Sequence, residues 1–217
     1  MPMPDVFHPI DHLGGLLIVV SGPSAVGKDT VLDALLTSID TRFPVQKCVT
    51  TTTRPPRAKD GGMEEEGVDY HFVNATTFNQ MVAEDQFLEY AEVHGVGWYG
   101  TPKAWVEEKR QQGSDVILKI DVQGGRSVKR QLPDAVLIFL QPPSLQELER
   151  RIRHRASETE EEIAKRLLNA RSELNQRPYY DYVVTNDTVP ETVDTIRAIL
   201  TAEHCRISRM ADHTLIV

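Results

Sequence analysis

The residues Gly22-Pro23-Ser24-Ala25-Val26-Gly27-Lys28-Asp29-Thr30 join a glycine-framed turn to a lysine at the point where a helix opens. Such a turn aims successive backbone N–H groups and the positive end of a helix at phosphate oxygens, and the lysine adds a mobile charge. The expected chemistry is the holding of a nucleotide's β- and γ-phosphates. A serine or threonine usually follows this lysine and reaches Mg2+; here Asp29 follows it and Thr30 comes one place later. Two readings of Asp29 stand side by side. An acid in a first helical turn is favoured by the helix dipole alone. A carboxylate also suits a hard cation, which makes Asp29 a candidate metal contact, direct or through water, with Thr30 on the phosphates or the metal.

A second group of chemistry-bearing residues lies at Thr50-Thr51-Thr52-Thr53-Arg54-Pro55-Pro56-Arg57. Arg54 and Arg57 sit three residues apart on a proline-stiffened turn, and two guanidinium forks held in this way can grip one phosphate from two sides. Asp69-Tyr70-His71-Phe72, Glu89-Tyr90 and Trp98-Tyr99-Gly100-Thr101 follow. A third group, Arg150, Arg151, Arg153 and Arg155, gathers basic charge between acidic stretches in a chain whose formal net charge is −8.

The elements that must carry these residues are legible from hydropathy. Leu16-Leu17-Ile18-Val19-Val20 reads as a buried strand before the glycine turn, and Val31 to Leu36 has helical spacing after it. Further buried strands are expected at Val45–Val49, Val116–Ile120, Ala135–Leu140 and Tyr182–Thr185, with helices at Pro102–Gln112 and Leu145–Arg155. Strands alternating with helices predict an α/β fold with a mostly parallel sheet covered on both faces, whose ligands sit at the carboxyl ends of the strands. A long helix is expected from Ser157, capped by Ser157 with Glu160, with Ile163, Leu167, Ala170 and Leu174 on its apolar face. Between residues 50 and 101 threonines, prolines, scattered aromatics and the acidic segment Lys59–Gly67 replace this texture, as expected of a lobe inserted into the sheet.

At 217 residues the chain suits one substantial core, and with 40% apolar and 26% charged residues it has an ordinary globular composition. The acidic balance argues against a nucleic-acid partner. No apolar run reaches the ~18 residues needed to span a bilayer, and the first fifteen residues lack secretory or transit features, so a cytoplasmic location and no membrane partner are expected. Cys48 and Cys205 fit no metal spacing and read as reduced thiols. His8 and His12, four apart, flank Pro9 in a segment without helical pattern and read as tail.

From Leu16 to Asp187 these segments, with Ile120-Asp121-Val122-Gln123-Gly124, Pro142-Pro143-Ser144 and Val184-Thr185-Asn186-Asp187, resemble the guanylate kinase family. The resemblance implies a phosphate-loop core (16–49, 102–154 and 167–200), a GMP-binding lobe (50–101) and a short lid (155–166), flanked by tails 1–15 and 201–217. It implies transfer of phosphoryl from ATP to GMP with Mg2+, and leaves a homo-oligomer open. By match, Arg54, Arg57, Tyr70 and Tyr99 bind the GMP phosphate, Thr50, Glu89 and Thr101 read guanine, and Asp121 lies near the metal and GMP. Lys28, Arg54, Arg151, Arg155 and Arg166 carry the phosphoryl transfer. The chain departs from the family's usual pattern at Ala25 and Ala156, each in place of a glycine, and at Lys119, where an acid is frequent. It also carries four extra residues between Arg57 and Tyr70, a stretch that includes Glu64-Glu65-Glu66. Gly-Lys-Asp occurs too in the related ribose 1,5-bisphosphate kinases, which need no guanine pocket, and an inactive protein-binding module of the same fold is the remaining reading; retention of Arg54, Arg57, Glu89 and Lys28 favours the kinase.

Overall fold

The computed structural model describes residues 14–37, 44–59, 62–93, 95–154 and 159–209. The two tail histidines, Ser157, Arg155 and Ala156 lie outside them. The chain runs β1 (Leu17–Ser21), α1 (Lys28–Thr37), β2 (Val45–Lys47), β3 (Thr51–Thr52), β4 (Ala58–Lys59), β5 (Gly62–Met63), β6 (His71–Phe72), α2 (Ala75–Ala83), β7 (Phe87–Val93) and β8 (Gly97–Pro102). It continues through α3 (Lys103–Gln111), β9 (Asp115–Lys119), α4 (Val122–Gln131), β10 (Val136–Gln141), α5 (Leu145–His154), α6 (Glu160–Leu174), β11 (Tyr182–Thr185) and α7 (Val189–His204).

Five strands form a parallel sheet in the order β11-β10-β1-β9-β2, with Val20 level with Lys119 on one side of β1 and Ser21 level with Phe139 on the other. Both faces are covered, which is why its strands read as unbroken apolar runs. One face packs Ile18, Val20, Ile117, Ile138 and Leu140 against Val31, Leu32 and Leu35 of α1 and Val193, Ile196 and Leu200 of α7. The other packs Leu17, Val19, Val116, Leu118 and Leu137 against Val106 of α3, Val128 of α4 and Leu88 of β7. The inserted lobe is a four-stranded sheet, β6-β3-β8-β7, with α2 laid on it through Phe78, whose ring stacks on Phe87 at 4.7 Å.

Two sequence expectations move. The strand expected over Val45–Val49 ends at Lys47, after which Cys48 still donates its N–H to the Ile117 carbonyl. The capping box of α6 is made by Thr159 and Glu162, two residues later than the Ser157/Glu160 pair with the same spacing; the Thr159 side chain accepts from the Glu162 N–H, and Glu162 accepts from the Thr159 N–H at 2.8 Å. Both pairs satisfy the pattern, and the chain leaves β-type backbone at Thr159.

The last helix runs beyond Leu200 for a structural reason. Asp115, fully buried at the start of β9, accepts the Leu16 N–H at 2.8 Å and lies 2.8 Å from Nε2 of buried His204. Removing one partner of a buried hydrogen-bonded pair leaves the other with a lost partner in a site closed to water. His204→Ala is expected to cost about 3 kcal/mol of unfolding free energy, with His204→Gln losing less because it retains an N–H donor; urea denaturation of both variants checks this.

Candidate active site

A cavity of about 280 Å3 opens at the carboxyl end of the parallel sheet, between the loop after β1 and the inserted lobe. From the sheet side it is lined by Gly22, Ser24, Lys28, Asp29, Lys119 and Asp121, and from the lobe by Thr50, Tyr70, Glu89 and Tyr99. Residues from the core and from the lobe thus share one space, whereas Thr30, Arg54, Thr101, Arg151 and Arg166 are not among its lining residues.

The loop after β1 passes so close to β10 that a Cβ at Gly22 would stand 2.2 Å from the Leu140 carbonyl oxygen. Ala25 adopts φ +64°, the left-handed region that a glycine occupies at no steric cost, so its Cβ is tolerated here. Asn186, 4% exposed after β11, donates from Nδ2 to the Val26 carbonyl at 2.7 Å and pins the loop from the far side. Lys28 folds back on the loop, donating to the carbonyls of Gly22 (2.5 Å) and Pro23 (3.0 Å). Burial pushes its pKa down to about 8. Thr30 is exposed on the first turn of α1.

In the lobe, Arg54 is buried and its donors are nearly all engaged. Nε donates to the Tyr99 hydroxyl at 2.8 Å, Nη1 to the Pro55 carbonyl at 2.9 Å, and the two terminal nitrogens grip Glu64 end-on at 2.5 and 2.8 Å. The guanidinium also lies 4.7 Å from the centre of the Tyr70 ring. Glu64 accepts the Arg57 backbone N–H as well, at 2.8 Å. This settles which acid of the triplet turns toward the arginine: Glu66 instead accepts the Phe72 N–H, and Glu65 is exposed. The Arg57 side chain is exposed and is not among the cavity's lining residues.

Glu89 is buried because the β7–β8 register shifts between Phe87 and Glu89, so that Phe87, Leu88 and Glu89 are buried in succession rather than in alternation. The Thr101 hydroxyl donates to its Oε1 at 2.6 Å. Gly124 makes room for it, since a Cβ there would stand 2.8 Å from Glu89 Oε2. Burial pushes the Glu89 pKa up to about 7 against the pull of the Thr101 hydrogen bond, and the Asp121 charge adds to the rise. Cys48, close by and buried, is pushed up to about 12 by burial and then by Glu89, which makes it an inert thiol. Asp121 caps α4 by accepting the Gly124 N–H at 2.8 Å and also lines the cavity.

Arg151 reaches toward the phosphate loop from α5, donating to Glu147 at 2.8 Å and to the carbonyls of Val26 and Asn186 at 3.3 and 3.2 Å. Arg166 is half-buried on α6. Glu173, also from α6, lines the cavity and raises the pKa of Lys28 electrostatically; sequence reasoning passed over it, since it has no local signal, and noted Lys119 only as a departure from the family's usual pattern.

A glycine loop with its lysine at the end of a parallel strand, facing a lobe that carries an arginine, two tyrosines and a buried carboxylate, defines a phosphate-loop kinase with a separate acceptor side. Residues 15–203 match the guanylate kinase family, and the chain belongs to it. The chain is 47% identical over 201 residues to a guanylate kinase of Clostridium perfringens, covering 93% of this chain and 89% of the relative. It is 48% identical over 199 residues to one of Bacillus cereus, covering 92% and 94%. The crystal structure of guanylate kinase from Anaplasma phagocytophilum superposes with a TM-score of 0.74 at 32% identity, covering 94% of this chain and 93% of that one.

The raised Glu89 pKa has a sign that can be tested. Its folded value of about 7 exceeds the ordinary 4.5, so the folded chain binds the extra proton between those values and loses stability as pH rises through that window. Relative to Glu89→Gln, the parent should lose about 3 kcal/mol between pH 4.5 and pH 8, read from urea midpoints of both proteins at the two pH values.

Proposed function

We propose that this chain transfers the γ-phosphoryl group of ATP to GMP, giving ADP and GDP. The observation that carries the reading is Glu89, a carboxylate buried with Thr101 in the same cavity as the phosphate loop. Ionised, it can accept from guanine N1–H and the 2-amino group together, and adenine presents no such pair of donors. Thr50 and Thr101 complete the base end, and Arg54, Arg57, Tyr70 and Tyr99 take the GMP phosphate. Such a reading supports a small-molecule kinase acting in the cytoplasm, and among the described residues no helix is long and apolar enough to cross a membrane.

Phosphoryl transfer asks for positioning and charge neutralisation more than for covalent help. The loop from Gly22 to Thr30 holds the ATP phosphates, with Lys28 leaving the Gly22 and Pro23 carbonyls for phosphate oxygens. Arg151, with Arg155 and Arg166 from the lid, neutralises the group in transit. The oxygen donors Asp29, Thr30 and Asp121 fit Mg2+ carried by the nucleotide: Asp29 and Asp121 line one cavity, and this ion needs only one or two protein carboxylates beside phosphates and water. When bound, the ion offsets negative charge on the phosphate oxygens.

A coupled assay comparing GMP, AMP and ribose 1,5-bisphosphate as acceptors tests the reading, with turnover expected for GMP. Glu89→Gln should lower GMP kcat/KM about ten- to a hundredfold, the loss of a charge-assisted hydrogen bond; kinetics equal to the parent's would remove Glu89 from the guanine site. Glu64 touches Arg54 and not the cavity, so it acts by holding the guanidinium toward Tyr70 and Tyr99. Glu64→Ala should raise the GMP KM about tenfold with kcat little changed, and Glu64→Asp should recover part of the loss.

A further inference from the structure

Lys119 has no part in the reaction as described so far. It ends β9 one strand away from the phosphate loop and lines the same cavity as Lys28. Its Nζ lies 2.5 Å from Asp29 Oδ1 and 5.7 Å from the centre of the Tyr70 ring. The ammonium therefore stands between the first turn of α1, on the ATP side, and an aromatic side chain of the lobe, on the GMP side. The two partners of this ion pair lie 90 residues apart in sequence and are joined only by the fold.

Stability does not account for the pair. Asp29 is more than half exposed, and an exposed ion pair contributes little net energy. Lys119 and Lys28 put two cations into one small cavity with Asp29, Asp121 and Glu173, so the protein's own carboxylates offset them there. A carboxylate at position 29 would by itself repel ATP phosphates, and the Lys119 ammonium offsets that charge where it arises.

We propose that Lys119 is a phosphate-contacting catalytic residue: Asp29 holds its ammonium at the junction of the two nucleotide sites, and bound phosphates draw it onto their oxygens. This rests on the GMP kinase reading. In the step itself, an oxygen of the GMP phosphate forms a bond to the γ-phosphorus of ATP while the bond from that phosphorus to the β-phosphate bridging oxygen breaks, and the electron pair leaves with ADP. Lys119 exchanges no proton; it neutralises charge on the oxygens of the group in transit, which lies between donor and acceptor as the ammonium does.

Calorimetric binding of ADP and of GMP without divalent cation, together with steady-state kinetics with ATP and Mg2+, tests the proposal on Lys119→Met, Lys119→Arg, Asp29→Asn and the Asp29→Asn/Lys119→Met double variant. Lys119→Met should weaken metal-free binding of at least one nucleotide about tenfold and lower kcat by at least that factor, and Lys119→Arg should return both to within about threefold of the parent. Asp29→Asn should tighten metal-free binding about threefold when Lys119 is present and less than that when it is Met, the coupling expected if Asp29 competes with phosphate for the ammonium. Lys119→Met with affinities and kcat within about twofold of the parent, or an Asp29→Asn effect equal in both backgrounds, overturns it. Should Lys119→Met fail to fold, the arginine variant and the Asp29→Asn cycle built on Lys119→Gln give the same decision. Absence of GMP turnover in the parent would defeat the underlying reading, whereas the metal-free affinities judge Lys119 separately.

Discussion

The backbone ladder joining β1 to β9 and β10 sets the level at which three loops leave the sheet. Val20 lies level with Lys119, and Ser21 with Phe139, so the phosphate loop, the Lys119–Asp121 turn and the segment after β10 emerge together. Period-2 geometry makes this register all or nothing, because a slip of one residue would turn Ile18 and Val20 away from α1 and α7 and Leu17 and Val19 toward them. Two different apolar layers thus lock the placement of polar groups that neither layer touches.

The cations in and beside the cavity rest on acceptors of the protein. Lys28 is on loop carbonyls, Arg54 on Glu64, Lys119 on Asp29, and Arg151 on Glu147. Such contacts offset the positive groups within the protein and fix their positions. They differ in kind: two backbone carbonyls accept from Lys28, whereas a bidentate carboxylate grips Arg54, whose other edge faces Tyr99. Arg54 is thereby braced by a charge-assisted, bidentate contact that Lys28 lacks.

Most of the fold was legible because its strands are buried on both faces and its helices carry clean apolar stripes. The phosphate loop was legible as a local pattern, and the lobe as a break in texture. What escaped was what depends on approach through space. Lys119 meets Asp29 across 90 residues, and Glu173 arrives from α6 with no neighbouring signal. Glu64 could be placed within an acidic triplet but not singled out, since only the hairpin of β4 and β5 turns it toward Arg54. The capping box slid from Ser157 to Thr159 because the sequence offers two overlapping copies of one pattern. Glu89 reads as an ordinary strand acid, and only a register shift buries it.

Gly124 sits on α4, is buried, and leaves Glu89 so little clearance that a methyl group would displace the carboxylate. On the proposed reading, the acceptor's base is framed partly by a position that offers it no hydrogen-bonding side chain. Changing the carboxylate alone would keep a slot shaped for it, while enlarging the glycine would reshape the slot from behind and leave every polar contact chemically intact. On the proposed reading of Glu89, acceptor choice would couple two positions 35 residues apart in sequence (89 and 124), and a lineage or an engineer altering it would find substitutions at the two epistatic.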